Sequence, residues 1–490
     1  MHAFCRHPRL GYLAAVVAGV LTTLSAAPFM LWWLAPIAAG LMYAGLSEST
    51  PRQAAWRGWY YGLGLFASGV SWVYVSIHDF GYTGVPLAIA LTALFVAAMA
   101  LFPAVSLGLY RRLIGPRLDV ITFAGAWVLG EALRTWLFTG FPWLLLGSGQ
   151  VDSPLAPWAP VGGAYLLSLV TALSGALGVQ LLRRRWWCAL PLAGLWLMPL
   201  ALPMHWTQPA GDPVRVALLQ GNLSQHIKWT PQGQRTAIDT YLRQTRQLNS
   251  TPLDLVIWPE AALPMFEDRA APIIERAQAS LGDETQLLTG ILQRDAQGLF
   301  YNSVVGRNGV EGEYRKHHLV PFGEYLPLES LLRGAIAFFD LPMPAMTPGA
   351  ADQAPLMAAG THIGNAICYE IIYADLVAKQ AREAEVILTL SNDSWFGDSL
   401  GPQQHLQMAR LRALENGRYV VRATSNGVTA IIDSRGRITK RLPQFETATL
   451  IGEFTPMEGL TPFTHTGSWP VWLLGLGMAL AGVRGRRRRG

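Results

Sequence analysis

The stretch Gly364-Asn365-Ala366-Ile367-Cys368-Tyr369-Glu370-Ile371-Ile372-Tyr373 decides how this chain reads. An apolar run leads into a cysteine, and a tyrosine, a glutamate and two isoleucines follow. That is the pattern of a buried strand ending in a sharp turn. Cys368 stands on the turn, where a nucleophile can be exposed above a sheet. A structural thiol is the competing reading, because free cysteine is among the most buried residue types. Two other stretches bear on the choice. Trp258-Pro259-Glu260-Ala261 closes the apolar run 253–257. Tyr314-Arg315-Lys316-His317-His318-Leu319-Val320-Pro321-Phe322-Gly323-Glu324 is the second. A Glu, a Lys and a Cys, each at the end or edge of a β-like run, can converge on one site.

The composition is that of a membrane protein. Of 490 residues, 51% are hydrophobic and 14% charged, against a usual charged share of roughly 25%. The 18 tryptophans and a mean hydropathy of +0.26 agree. The excess is uneven: residues 1–203 and 469–483 are apolar in long blocks, whereas 204–466 has the make-up of a soluble α/β domain. A net charge of +6 invites a nucleic-acid reading. The basic residues, however, sit in short loops between apolar blocks and in the tail at 484–490, so no basic, aromatic-interleaved face exists for nucleic acid.

Seven apolar blocks precede the soluble part, at about 10–26, 30–46, 58–77, 84–110, 118–138, 161–182 and 186–203. Each reaches or nearly reaches the roughly 20 residues that span a bilayer. The first has the flanks of a signal peptide, but the blocks that follow it without a soluble break favour an uncleaved span. Loop charge alternates. Arg6 and Arg9, then Arg52 and Arg57, then Arg111, Arg112 and Arg117, then Arg183, Arg184 and Arg185 occupy every second loop. The intervening loops carry no Lys or Arg. The positive-inside rule therefore predicts a cytoplasmic N-terminus. Residues 204–466 fall outside, and an eighth block at 469–483 returns the chain to an arginine-rich cytoplasmic tail. Inside the fifth block, Glu131 and Arg134 stand three apart on one helix face. That is either a structural ion pair or a functional polar position. Gly140-Phe141-Pro142-Trp143, Trp72 and Tyr74 cluster toward the outer interface.

The soluble part alternates strands and helices, which predicts a layered α/β fold. Strands are expected at 214–220, 253–258, 286–292, 302–307, 383–390, 418–432 and 437–454, and helices at 231–248, 271–280 and 402–416. Glu260 closes its strand, where a carboxylate raised in pKa by burial can serve as a general base. Lys316 lies in a cationic cluster that can hold an oxyanion, together with the backbone N–H of Tyr369. Cys368 gains weight from its compartment. Outside the cytoplasm structural thiols tend to be paired, but Cys5 is expected on the cytoplasmic side and Cys188 inside a span. A lone exported thiol is a candidate reactive group. The spacing of the three cysteines suggests no metal site.

Trp258-Pro259-Glu260, Arg315-Lys316 and Ile367-Cys368-Tyr369-Glu370 resemble the Glu–Lys–Cys triad of the carbon–nitrogen hydrolase (nitrilase) superfamily. With the apolar blocks, the chain is similar to the bacterial apolipoprotein N-acyltransferase family within it. Gln220-Gly221-Asn222, Lys228-Trp229, Lys316 to Pro327, Ser391 to Gly397 and His405 to Arg410 extend the resemblance over nearly the whole chain. It implies an αββα sandwich joined to a multi-span helical membrane bundle. It also implies transfer of an acyl chain from a membrane phospholipid to the amine of a diacylglyceryl-cysteine on an apolipoprotein, with no cofactor and no metal. Glu260 would be the base, Lys316 the charge stabiliser and Cys368 the acyl carrier. Glu324, Tyr369 and Glu370 match supporting positions, and Trp229, Trp395 and Phe396 would lie on entrance loops. The expected location is the inner membrane, multi-pass, with the catalytic domain on the periplasmic side. A tethered amidase for a small soluble substrate would use the same triad, but a tether needs one helix and not two hundred residues of them. A receptor or transporter that only binds would need no unpaired external thiol beside Glu and Lys.

Overall fold

The computed structural model describes residues 8–114, 119–203, 205–327 and 345–487. Cys5, Arg6, Arg117 and the end of the arginine tail lie outside the described residues. The chain divides into two compact units. One comprises residues 1–74, 84–204 and 465–490, and the other residues 75–83 and 205–464.

The first unit is helical. Its helices are Pro8–Ser25, Leu34–Gly45, Pro51–Gly69, Val85–Met99, Leu101–Ile114, Val120–Trp136, Ala159–Leu182, Ala189–Leu197 and Trp469–Arg487. Each falls on an expected apolar block, and the fourth block is nearly continuous helix. The stretches Val85–Ile114 and Ala156–Leu182, of 30 and 27 residues, are long and apolar enough to cross a membrane. Arg9–Ser25, Leu34–Gly45, Trp186–Ala201 and Trp469–Gly482 are shorter apolar helices. Local sequence explains where several begin. Thr50 accepts from the Gln53 N–H while the Gln53 side chain accepts from the Thr50 N–H, and Pro51 takes the first helical position. That is a capping box with proline where its missing N–H costs nothing. Glycines allow the helices to close on each other: a side chain at Gly19 or Gly64 would strike the backbone of the facing helix at 2.2 Å, the small-residue contact of membrane helix pairs. Glu131 and Arg134 hold backbone. Glu131 Oε1 accepts from the N–H of Leu146 at 2.8 Å, and the Arg134 guanidinium donates to the carbonyls of Phe141 (3.0 Å) and Trp143 (2.5 Å). Together they pin the irregular segment that follows their own helix.

The second unit is a four-layer α/β sandwich. In chain order its principal strands are β1 (Val214–Gln220), β2 (Leu255–Trp258), β3 (Gln286–Arg294), β4 (Phe300–Arg307), β5 (Tyr314–Arg315), β6 (Leu356–Ala358), β7 (Thr361–Ile367), β8 (Val386–Ser391), β9 (Tyr419–Thr424), β10 (Ala430–Ile432), β11 (Ile438–Arg441) and β12 (Ala448–Phe454). Two six-stranded sheets form, ordered β12-β1-β2-β3-β4-β5 and β11-β10-β9-β8-β7-β6. Each has a parallel centre and antiparallel flanks. The central strands are apolar on both faces, as parallel strands covered on both sides must be. Along β1, Val216 and Leu218 face the core between the sheets, whereas Ala217 and Leu219 face the outer helices Pro231–Arg246 and Glu267–Gln278. Ala374–Ala381 and Gly401–Asn416 cover the other sheet. The expected strands and helices are present within a few residues of their predicted limits, except that 418–432 divides into β9 and β10 and 437–454 into β11 and β12, which belong to different sheets. The segment Val75–Thr83, read from sequence as the end of a span and a loop, groups with this unit.

Candidate active site

In open α/β sheets, ligand sites gather beyond the carboxyl ends of parallel strands. Glu260 lies two residues past β2, Cys368 immediately past β7 and Asn392 immediately past β8. Lys316 follows β5, and its N–H bonds the Asn302 carbonyl at 2.7 Å, carrying the ladder one step beyond the strand.

Cys368 has φ of +52° and opens a tight helical turn over Cys368–Ile372. A non-glycine residue there is strained by roughly 1–3 kcal/mol and persists only where its surroundings hold it. Two buried groups do so. His405 Nε2 donates to the Cys368 carbonyl at 3.0 Å. Glu370, fully buried, accepts from the Ile367 N–H at 2.7 Å just before the turn. The same carboxylate accepts from the N–H groups of His317 and His318 at 2.8 and 2.9 Å and from the Tyr314 hydroxyl at 3.0 Å. Burial pushes the Glu370 pKa up against the pull of these donors. It is thus the clasp between the lysine loop and the cysteine turn. Tyr369 packs its ring toward His318 and Tyr373.

Lys316 is 1% exposed, with Nζ 2.9 Å from Glu324 Oε1 and 3.7 Å from Glu260 Oε1. Burial works against its charge, but the two carboxylates more than offset that and hold its pKa above the ordinary lysine value. Lys316 is therefore a permanent cation. Glu260 is clamped at both oxygens: Oε1 accepts from Asn302 Nδ2 and Oε2 from the Asn392 N–H, each at 2.7 Å. Glu324 is held in turn by the Val320 N–H at 2.8 Å and Asn302 Nδ2 at 3.2 Å. The Cys368 thiol feels both Glu260 and Lys316. Burial, then the Glu260 charge, pushes its pKa up, and Lys316 opposes them. The resting sulfur is therefore a thiol, and a thiol needs a general base before it can act as a nucleophile.

A second buried cluster braces the Cys368 turn from behind. Asp393 Oδ1 meets His405 Nδ1 at 3.0 Å and accepts from Ser391 Oγ at 2.6 Å, while Asp393 Oδ2 accepts from Arg422 at 2.5 Å. Burial would raise the Asp393 pKa, but Arg422 and His405 hold it well below the usual carboxylate range. Asn392, Asp393 and His405 lie in stretches that carry the family resemblance, but the sequence assigns no role to them or to Asn302 and Arg422, because their partners come from distant segments.

Of the residues expected at the entrance, Trp229 and Trp395 are each 37% exposed. Phe396 differs: it is buried, its ring against His405. Sequence reading missed their neighbours on Val75–Thr83. Ser76 Oγ donates to the Trp395 carbonyl at 2.7 Å, and Phe80 packs on Trp395 and on His226. Among the described residues no cluster of His, Cys, Asp or Glu could hold a metal ion.

The profile of the apolipoprotein N-acyltransferase N-terminal domain matches residues 18–177, and that of carbon-nitrogen hydrolase matches residues 215–459. The apolipoprotein N-acyltransferase of Azotobacter vinelandii is 47% identical, over 98% of this chain and 95% of that protein. The one from Pseudomonas syringae pv. tomato is 45% identical, over 97% of each. Among solved structures, a carbon-nitrogen hydrolase from Helicobacter pylori aligns with 53% of this chain and 94% of its own at 17% identity and a TM-score of 0.37. On the strength of relatives this similar along nearly its whole length, the chain belongs to the apolipoprotein N-acyltransferase family.

Proposed function

We propose that this enzyme moves a fatty acyl group from a membrane phospholipid, through a thioester on Cys368, to the α-amine of the N-terminal diacylglyceryl-cysteine of an apolipoprotein. The observation that carries the reading is the placing of Lys316 between Glu260 and Glu324 beside a thiol held on a strained strand-end turn. In the first half, Glu260 takes the Cys368 proton as sulfur attacks the ester carbonyl. Lys316 Nζ and the Tyr369 N–H stabilise the oxyanion. Glu260 then returns the proton to the departing lysophospholipid oxygen. In the second half the amine attacks the thioester and Cys368 leaves. Splitting one transfer into two steps predicts ping-pong kinetics.

The proposed setting is the periplasmic face of the inner membrane, with the helical unit as a multi-pass bundle. The alternation of loop arginines supports it. So does the donor's chemistry, since drawing an acyl chain out of a bilayer costs about 0.8 kcal/mol per CH₂. The test is mass spectrometry of the purified enzyme with phospholipid and no acceptor. One fatty acyl mass should appear on Cys368 and be removed by neutral hydroxylamine. A diacylated lipopeptide with a free amine should discharge it, and an N-acetylated one should not. An adduct on another residue would refute the covalent route, and discharge by water as fast as by amine would make the protein a lipid hydrolase.

A further inference from the structure

The second half-reaction has a proton left over. The acceptor amine arrives as an ammonium with three protons, and the amide keeps one. Of the two released, one returns to the Cys368 sulfur through Glu260. The other goes to solvent before the amine binds or to a base within the site, and Lys316, charged and enclosed by carboxylates, cannot be that base.

We propose that Lys228, as the neutral amine, takes this second proton from the substrate ammonium. The inference rests on the thioester route proposed above. Lys228 is 2% exposed and closes the turn that begins at Ser224, its N–H bonding the Ser224 carbonyl at 3.0 Å. That turn is tied to the base. Gln225 Oε1 accepts from Asn392 Nδ2 at 3.0 Å, and the Asn392 N–H is the donor to Glu260 Oε2. The turn that carries Lys228 is thus tied, through Asn392, to Oε2 of Glu260, while Lys316 lies 3.7 Å from Oε1. Glu260 is the charge that acts on it, and among the described residues its ammonium makes no hydrogen bond and no ion pair. The helix packed behind the turn presents Gly233, where a Cβ would lie 2.9 Å from Lys228 Cα. On the same turn His226 stacks on Phe80, and beyond Asn392 the Asp393 charge is engaged by Arg422 and His405.

A buried lysine with no partner of its own is expensive as a fixed charge. Burial brings its pKa down to about 8, with Glu260 opposing. An α-amino group titrates at roughly 7.7–8.0, so proton transfer between the two is close to thermoneutral. The step balances: Lys228-NH₂ and R-NH₃⁺ give Lys228-NH₃⁺ and R-NH₂. The free amine attacks the thioester carbonyl and loses its next proton to Glu260, which passes it to the leaving sulfur. Lys228 then releases its proton to water.

The experiment separates the half-reactions in the full-length enzyme. The protein is loaded from phospholipid, the thioester is quantified by mass, and single-turnover transfer to a diacylated lipopeptide is followed from pH 6 to 9.5. K228M and K228R should both load, but transfer at pH 7 should fall by about tenfold or more, in line with general-base losses. Transfer should recover as pH rises past the acceptor's own pKa. An acceptor whose amine has a pKa near 6 arrives neutral and should be acylated equally by wild type and variants. Wild-type transfer by K228R, which keeps the charge but cannot give up a proton, would overturn the proposal. So would variant pH profiles superimposable on the wild type. Loss of loading in K228M, K228R and K228Q alike would overturn it too, since the residue would then be needed before the amine arrives. A wild-type enzyme that never forms the thioester would instead sink the covalent route itself.

Discussion

The loop carrying Lys316 and the turn carrying Lys228 each bury a lysine on which the Glu260 charge acts, and they treat it in opposite ways. Lys316 lies between two carboxylates and keeps its proton; Lys228 has Glu260 alone, beyond hydrogen-bonding contact, and is brought to about 8. Both side chains are almost wholly buried, and in both burial works against the charge. What differs is compensation, and that decides whether a buried cation is a permanent charge or a proton acceptor. On the scheme proposed above, one cation would serve a developing oxyanion and the other a proton in transit.

The largest effect expected falls where neither lysine can compensate. Cys368→Ala should abolish transfer and never acquire an acyl mass, and Cys368→Ser should be inactive too, because a hydroxyl's pKa lies far above a thiol's. Transfer by Cys368→Ala in a lipid-loaded assay would remove the nucleophile from the scheme. Glu260→Gln deletes the carboxylate both lysines share and should lower turnover by at least about a hundredfold. Lys316→Met should cost a similar factor through the oxyanion. Near-normal turnover in a folded, membrane-inserted variant of either would mean the role is wrongly assigned.

Glu324→Gln sharpens the contrast, since it leaves Lys316 with a single carboxylate, as Lys228 has. Turnover should fall by about tenfold, the order expected for one charge-assisted hydrogen bond, and the loss should worsen as pH rises, because Lys316 becomes easier to deprotonate. A pH profile parallel to wild type would argue that Glu324 acts by shape alone. Behind the nucleophile, His405→Ala strands the Cys368 carbonyl and unbalances Asp393. It should slow thioester formation about tenfold and lower stability by about 1–3 kcal/mol, whereas His405→Gln, which keeps a donor, should recover most of both. Equal loading rates in all three proteins would make the Asp–His–Arg group purely structural.

The smallest effect is thermodynamic. The folded-state pKa of Lys228, about 8, lies below its ordinary 10.5. Between those values the unfolded chain binds more protons, so stability should rise with pH across the window, by roughly 3 kcal/mol at most. Below pH 8 the cost of the buried charge is felt in full. Lys228→Met should flatten this slope and raise the melting temperature at neutral pH; an unchanged slope would show that the charge is not held at a cost.

Much of this was legible in sequence because it follows from local periodicity and composition. Apolar blocks announced the helices, alternation of strands and helices announced a layered α/β fold, the family resemblance implied the sandwich, and strand-end residues singled out Glu260, Lys316 and Cys368. These properties are written in consecutive residues, and burial on both faces leaves its mark directly on a strand such as Val214–Gln220. What needed the tertiary structure is everything set by distance between segments far apart in the chain. Asn392 reaches Glu260 across 132 residues and Tyr314 reaches Glu370 across 56. His405 braces Cys368 from a helix 37 positions away, and Val75–Thr83 packs on Trp395. Nor can sequence say that of two lysines each next to an aromatic or a histidine, one is neutralised by carboxylates and the other is not. A pKa depends on burial and on which charges lie within a few ångströms, and the chain assigns those neighbours only once it has folded.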